Sequence, residues 1–250
     1  MPSPSNAAPP ARPPADAQAI LRHLAVVEHE RARRAADPAL AARFVTVKAY
    51  QQARFAHTHR ALLNSPRYAA ATRFFLQELY GPADFAQRDA QFARIVPALV
   101  KLFPQEIVDT VALLAELHAL AETLDGELAT MLPSTALDAS AYIAAWRAVG
   151  KPELRSLQVD LVIAVGRSID RYTRMPMLAL SLRMMRGPAR AAGLSELQDF
   201  LERGLATFKA MHGADDFLQQ IELRERAMMA RLFDASQGAA SLQTELPEGG

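Results

Sequence analysis

Apolar residues along most of this chain recur at intervals of three and four, the spacing that gathers side chains on one face of an α-helix. No stretch alternates in the manner of a half-buried strand. Asp16 is placed to cap a first helix running to about Ala36, with Ile20, Leu24 and Val27 on one face. Asp37 is placed to cap a second, with Pro38 at its first position, running to about Leu63. After a turn from Asn64 to Arg67, a short aromatic helix from Tyr68 to Tyr80 is stopped by Gly81 and Pro82. Asp84 then caps a helix that must bend or break near Pro97 on its way to about Phe103.

The spacing next predicts one long helix from Pro104 to Met131 and a shorter one from Asp138 to Val149 carrying the sole tryptophan, Trp146. A second long helix runs from Pro152 to about Arg186 with a kink at Pro176. The segment GPARAAG, Gly187 to Gly193, reads as a connection, and Ser195 with Gln198 three positions on reads as a capping box. Two last helices, from Ser195 to Met211 and from Ala214 to Asp234, are split at Gly213. The sum is an all-α fold: a single antiparallel bundle of eight or nine helices, with the two long ones at its centre.

Residues 16–235 form that bundle. Residues 1–15, rich in proline and alanine, read as a disordered arm, and 236–250 as a disordered tail unable to bury apolar surface. The arm has no apolar core of the kind a secretory signal needs, and no run of apolar residues is long enough for a membrane span. The chain contains no cysteine, so disulfides, thiolate catalysis and cysteine-held zinc are excluded. A cytoplasmic location fits these features.

The net charge of +1 conceals segregation. Residues 104–140 carry seven acids and no base, whereas 22–60 and 151–190 each carry eight bases against three acids. Basic helices packed against acidic ones are the simplest reading, and a nucleic-acid surface is not expected.

Stepping along 104–131 at 100° per residue places His118, Glu122 and Asp125 inside an arc otherwise made of Ile107, Val108, Val111, Leu114, Leu117, Ala121 and Leu124. His118 and Glu122, four apart, can touch. Buried charges require partners, so a structural His–Glu pair answered by an arginine from a neighbouring helix is the first reading, and haem or iron ligation by His118 is the alternative. Glu225, Glu78 and His59 fall among apolar neighbours by the same test. Glu-x-x-His, on which di-iron bundles are built, does not occur. Arg167, Arg171 and Arg174 line one face beside Asp160 and Asp170, giving either an ion-paired seam towards the acidic helix or a site for a small anion. Phosphate-loop, dinucleotide, zinc-protease and nucleophile-elbow motifs are all missing.

The stretches FFLQELYGPADFAQRD, Phe74 to Asp89, and RYTRMPMLALSLRMMRGPARAAGL, Arg171 to Leu194, resemble a family of uncharacterised bacterial helical proteins over roughly residues 38–235. That resemblance implies one all-α domain and carries no activity, cofactor or site. The reading favoured from the residues is a non-enzymatic domain that pairs with itself or with another protein through an amphipathic helix face.

Overall fold

The computed structural model describes residues 12–78, 81, 85–236, 242, 246 and 247. Among them the chain forms eleven α-helices and no strand: α1 (Ala17–Ala35), α2 (Pro38–Thr58), α3 (Arg60–Leu63), α4 (Ala69–Glu78), α5 (Ala86–Leu102), α6 (Gln105–Met131), α7 (Ala139–Val149), α8 (Pro152–Thr173), α9 (Pro176–Ala191), α10 (Ser195–Ala210) and α11 (Asp215–Phe233).

Local chemistry sets many of the boundaries. Asp16 accepts from the Ala19 amide at 2.7 Å, Asp37 from those of Ala39 and Leu40 at 3.0 Å, and Asp138 from that of Ala141 at 2.8 Å. Each satisfies donors that the first turn leaves open. Gly150 and Lys151, at φ 65° and 61°, make the left-handed turn into α8, where Pro152 takes the first position.

The helix count exceeds eight or nine because two expected helices are divided. The second breaks at His59, the shared cap of α2 and α3. The expected kink at Pro176 is a full interruption instead: Arg174 caps α8, Met175 is extended, and Pro176 opens α9, because the residue before a proline avoids helical geometry. Conversely, α5 passes through Pro97 without breaking, and α9 continues through Gly187 and Pro188 to Ala191. The turn after α9 is therefore confined to Ala192–Leu194, with Gly193 at φ 68°. The capping box does not form: Ser195 is already helical, and Gln198 donates to the Leu182 carbonyl at 2.6 Å and to Glu202 at 2.7 Å. Tyr80, Pro82 and Asp84 lie outside the described residues.

α6 is the axis, packed by α1, α2, α7 and α8. Three apolar cores surround it. One joins Leu128, Tyr142, Trp146, Met228 and Leu232; a second joins Phe55, Phe75, Leu117, Leu161, Phe208 and Phe217; a third joins Ile20, Leu24, Val96 and Val108.

Both ends of the chain contribute more than arm and tail imply. Arg12 pairs with Glu116, and the Ala15 amide donates to Asp109 at 2.9 Å. Leu242 and Leu246 are buried in the first core, and Tyr50 donates to the Pro247 carbonyl at 3.3 Å. Leu242 and Leu246 thus bury apolar surface where a tail unable to do so was expected. Among the described residues no helix is long and apolar enough to cross a membrane.

Candidate functional site

α6 is enclosed almost all round, and that changes the meaning of its apolar arc. Glu122 and Asp125 are buried, while His118 is only partly buried and turned to α5. The structure does not bring His118 to Glu122. Its Nε2 lies 2.9 Å from Asp89 Oδ2, and Arg31 donates to the same carboxylate oxygen at 2.8 Å. Burial would raise the Asp89 pKa, but His118, Arg31 and Arg88 outweigh it and lower it. A single arc assumes one neighbouring surface, whereas α6 has neighbours on every side, so residues four apart can face different helices.

Glu122 instead pairs with Arg34 of α1, with Lys48 Nζ of α2 at 4.0 Å. Asp125 accepts from Lys48 at 3.2 Å and from Gln51 Nε2 at 3.0 Å. Arg155 of α8 comes within 3.8 Å of Asp125 and stacks over the Trp146 ring, 4.0 Å from its centroid.

One turn further along α2, Arg54 Nη1 donates to Glu225 Oε1 at 2.7 Å, and His59 Nε2 lies 2.8 Å from the same oxygen. Burial favours the neutral form of both groups. It wins at His59, whose pKa is lowered, and loses at Glu225, which Arg54 and His59 hold down at about 2. His59 is therefore a neutral donor to an ionised carboxylate. Between the two clusters lies a cavity of about 40 Å³, lined by Gln51, Arg54, Trp146, Arg155 and Glu225 and by apolar side chains of α8 and α11.

Glu78 is not part of this constellation. It ties α4 to α5 and α10 through Arg88 at 2.8 Å and Arg203 at 2.7 Å. Arg167, Arg171 and Arg174 are exposed: Arg171 pairs with Glu106 of α6 at 3.1 Å and Arg174 with Asp170 at 2.5 Å. Asp170 also accepts from the Ala214 amide at 3.1 Å, so it holds α11 as well as an arginine.

A metal or haem at His118 finds little to hold it. Its Nε2 faces Asp89, and among the described residues no three histidine, aspartate or glutamate side chains converge as a metal needs. A cofactor pocket usually measures ~300–1,000 Å³, well above the central cavity. A wider, open groove of about 320 Å³ between α2 and α4 has Ala49, Ala53, Ala56, Gln52 and Arg73 among its lining residues and no histidine.

The sequence calls for an arginine from a neighbouring helix to answer the buried acids, but it does not single out Arg34, Lys48, Arg54 or Arg155. Arg34 continues the Ile20, Leu24, Val27 stripe of α1, Gln51 and Arg54 continue the Leu40, Val47 stripe of α2, and Arg155 stands seven before Val162. Core spacing was the available signal in each case.

It also missed the surface of α9. Ala189 is the one buried residue in this helix, and Met177 and Met184 are each 70 % exposed. With Leu180 they form a stripe at i, i+3 and i+7, while α10 packs against the other side of the helix. α9 carries Arg183, Arg186 and Arg190 and no acid. The α5–α6 turn, which adds exposed Leu102 and Phe103, is held to the α8–α9 junction by the Arg171–Glu106 pair.

A single helical bundle with a paired polar interior and one bare amphipathic helix is thus the class of protein that fold and site define. A family model described as a domain of unknown function, DUF8198, matches residues 30–239, and the chain belongs to that family. No curated protein and no solved structure matches it.

Proposed function

We propose that the protein is a non-enzymatic interaction domain whose docking element is α9, and that its occupant is an acidic amphipathic helix of another protein. The observation that carries this reading is the exposure of Met177, Leu180 and Met184 as one continuous stripe on a helix otherwise able to bury it. Contiguous exposed apolar patches on soluble folds mark contact surfaces, and unbranched methionines adapt to a partner's shape. A helix laid against such a stripe is read through anchors at this same spacing.

Charge selects among occupants. α9 carries no acid, and although Arg186 is paired with Glu202 of α10, Arg183 and Arg190 remain exposed, so pairing two copies of α9 would set like charges together, whereas an acidic helix is attracted. The buried charges serve in this reading to fix α6, α1, α2 and α8 as a rigid platform.

The test is a photo-crosslinking amino acid placed at Met184 in the producing cell, with Leu223, 70 % exposed on α11, as control. The expected product is a discrete adduct with another protein at position 184 and none at 223, whose acidic segment, made as a peptide, binds the purified chain more weakly as salt rises. A crosslinked dimer of this chain, sedimentation with anionic vesicles, or no adduct above the control would each overturn the assignment.

A further inference from the structure

Matching the buried charges one to one leaves a cation over. Glu122 pairs with Arg34, Asp125 with Lys48, and Glu225 with Arg54. Arg155 has no carboxylate of its own. It is buried, its approach to Asp125 is 3.8 Å, and its hydrogen bonds to Gln158 Oε1 and the Leu124 carbonyl are long, at 3.3 and 3.4 Å. A buried guanidinium held this loosely is incompletely compensated.

The same residue lines the central cavity, and so does a second donor. Trp146 is buried, its ring packs under the Arg155 guanidinium at 4.0 Å, and its indole Nε1 has no hydrogen-bond partner among the described residues. The cavity's charged lining is Arg54, Arg155 and Glu225, which leaves one excess positive charge, and Val159, Val162, Ile221 and Met228 supply an apolar wall. About 40 Å³ accommodates a compact ion or a very few waters and nothing larger. We propose that this cavity is a binding site for one small monovalent anion of halide size, held between the Arg155 guanidinium and the Trp146 indole N–H.

The site lies inside the bundle, away from α9, and does not depend on the docking proposal. An anion there would join α2, α7, α8 and α11, because each contributes a lining residue. Its occupancy would stiffen the core without altering the α9 surface.

Trp146 is the chain's single tryptophan and therefore a reporter at the site. The experiment titrates the full chain with sodium iodide in chloride-free buffer, holding ionic strength constant with sodium gluconate, whose anion is too large to enter. The expected result is saturable quenching of tryptophan fluorescence, whose midpoint rises in proportion to added chloride, together with a melting temperature that climbs with chloride at fixed ionic strength. Arg155→Gln is expected to abolish the saturable component. If that variant fails to fold, the competition and the melting shift in the unaltered chain still decide the matter. Unsaturable quenching indifferent to chloride, with equal melting in chloride and gluconate, would show a cavity that holds only water. Saturable quenching retained in a folded Arg155→Gln protein would place the anion elsewhere.

Discussion

His59, at the break between α2 and α3, donates to the Glu225 carboxylate of α11 across 2.8 Å while fully buried and uncharged. Both groups are depressed from their ordinary values, His59 below 6.5 and Glu225 from 4.5 to about 2. In each case the unfolded chain binds protons that the folded chain refuses, so acid destabilises. His59 contributes as pH falls below about 6.5, and Glu225 as it falls from about 4.5 towards 2, the latter for about 3 kcal/mol in all. Urea melts across pH should therefore show stability already declining between pH 6.5 and 5, and His59→Gln should flatten that part of the profile. A flat wild-type profile down to pH 5 would contradict the buried neutral histidine.

The Glu122–Arg34 pair predicts a different signature. Removing one partner strands a buried charge, at about 3–5 kcal/mol, whereas replacing both with apolar side chains of similar volume is close to neutral. Glu122→Leu and Arg34→Met should each be strongly destabilising, and the double variant should lose far less than their sum. Additive losses in chemical denaturation would mean that the pair is not coupled.

His118→Ala should be mild. The imidazole is not fully buried, and Asp89 keeps Arg31 and has Arg88 close by. A loss of about 1 kcal/mol is expected, the net scale of one hydrogen bond. A loss near 3 kcal/mol in thermal or urea unfolding would show that His118 carries more than its contact with Asp89.

Gly166 of α8 packs directly against the Leu218 side chain of α11. A Cβ there would stand 2.5 Å from Leu218 Cδ2, in a core where Leu218 is buried. Gly166→Ala should cost about 1–3 kcal/mol by overpacking, and pairing it with Leu218→Ala should recover part of that loss. An alanine variant as stable as the wild type would mean that α8 and α11 cross less tightly.

The sequence showed the helices but not their surroundings. Aspartates 16, 37 and 138 marked three starts because capping is local chemistry, and the long helix ending at Met131 followed from its uninterrupted spacing. Proline was read less well. Pro97 and Pro188 sit inside continuous helices, the latter where a connection was expected, while Pro176 separates two helices outright where a kink was expected. Glu122, Asp125, Glu225 and His59 stood out as polar groups at core spacing, but which cation meets which carboxylate depends on helix crossings that periodicity does not contain. His118 was assigned a partner on its own helix when the nearer one lay on α5. α9 looks from its pattern like any amphipathic helix, and only the fold reveals that its Met177–Leu180–Met184 stripe has no neighbour in the described bundle.

The most direct measurement on the central claim compares two quantities in one protein, Met177→Glu with Met184→Glu. Exposed positions tolerate such changes within ~0.5 kcal/mol, so unfolding in urea should match the wild type while crosslinking from a probe at Leu180 to the partner disappears. A bundle that loses several kcal/mol would show the stripe to be structural, and crosslinking that persists at full yield would show that the partner does not read it.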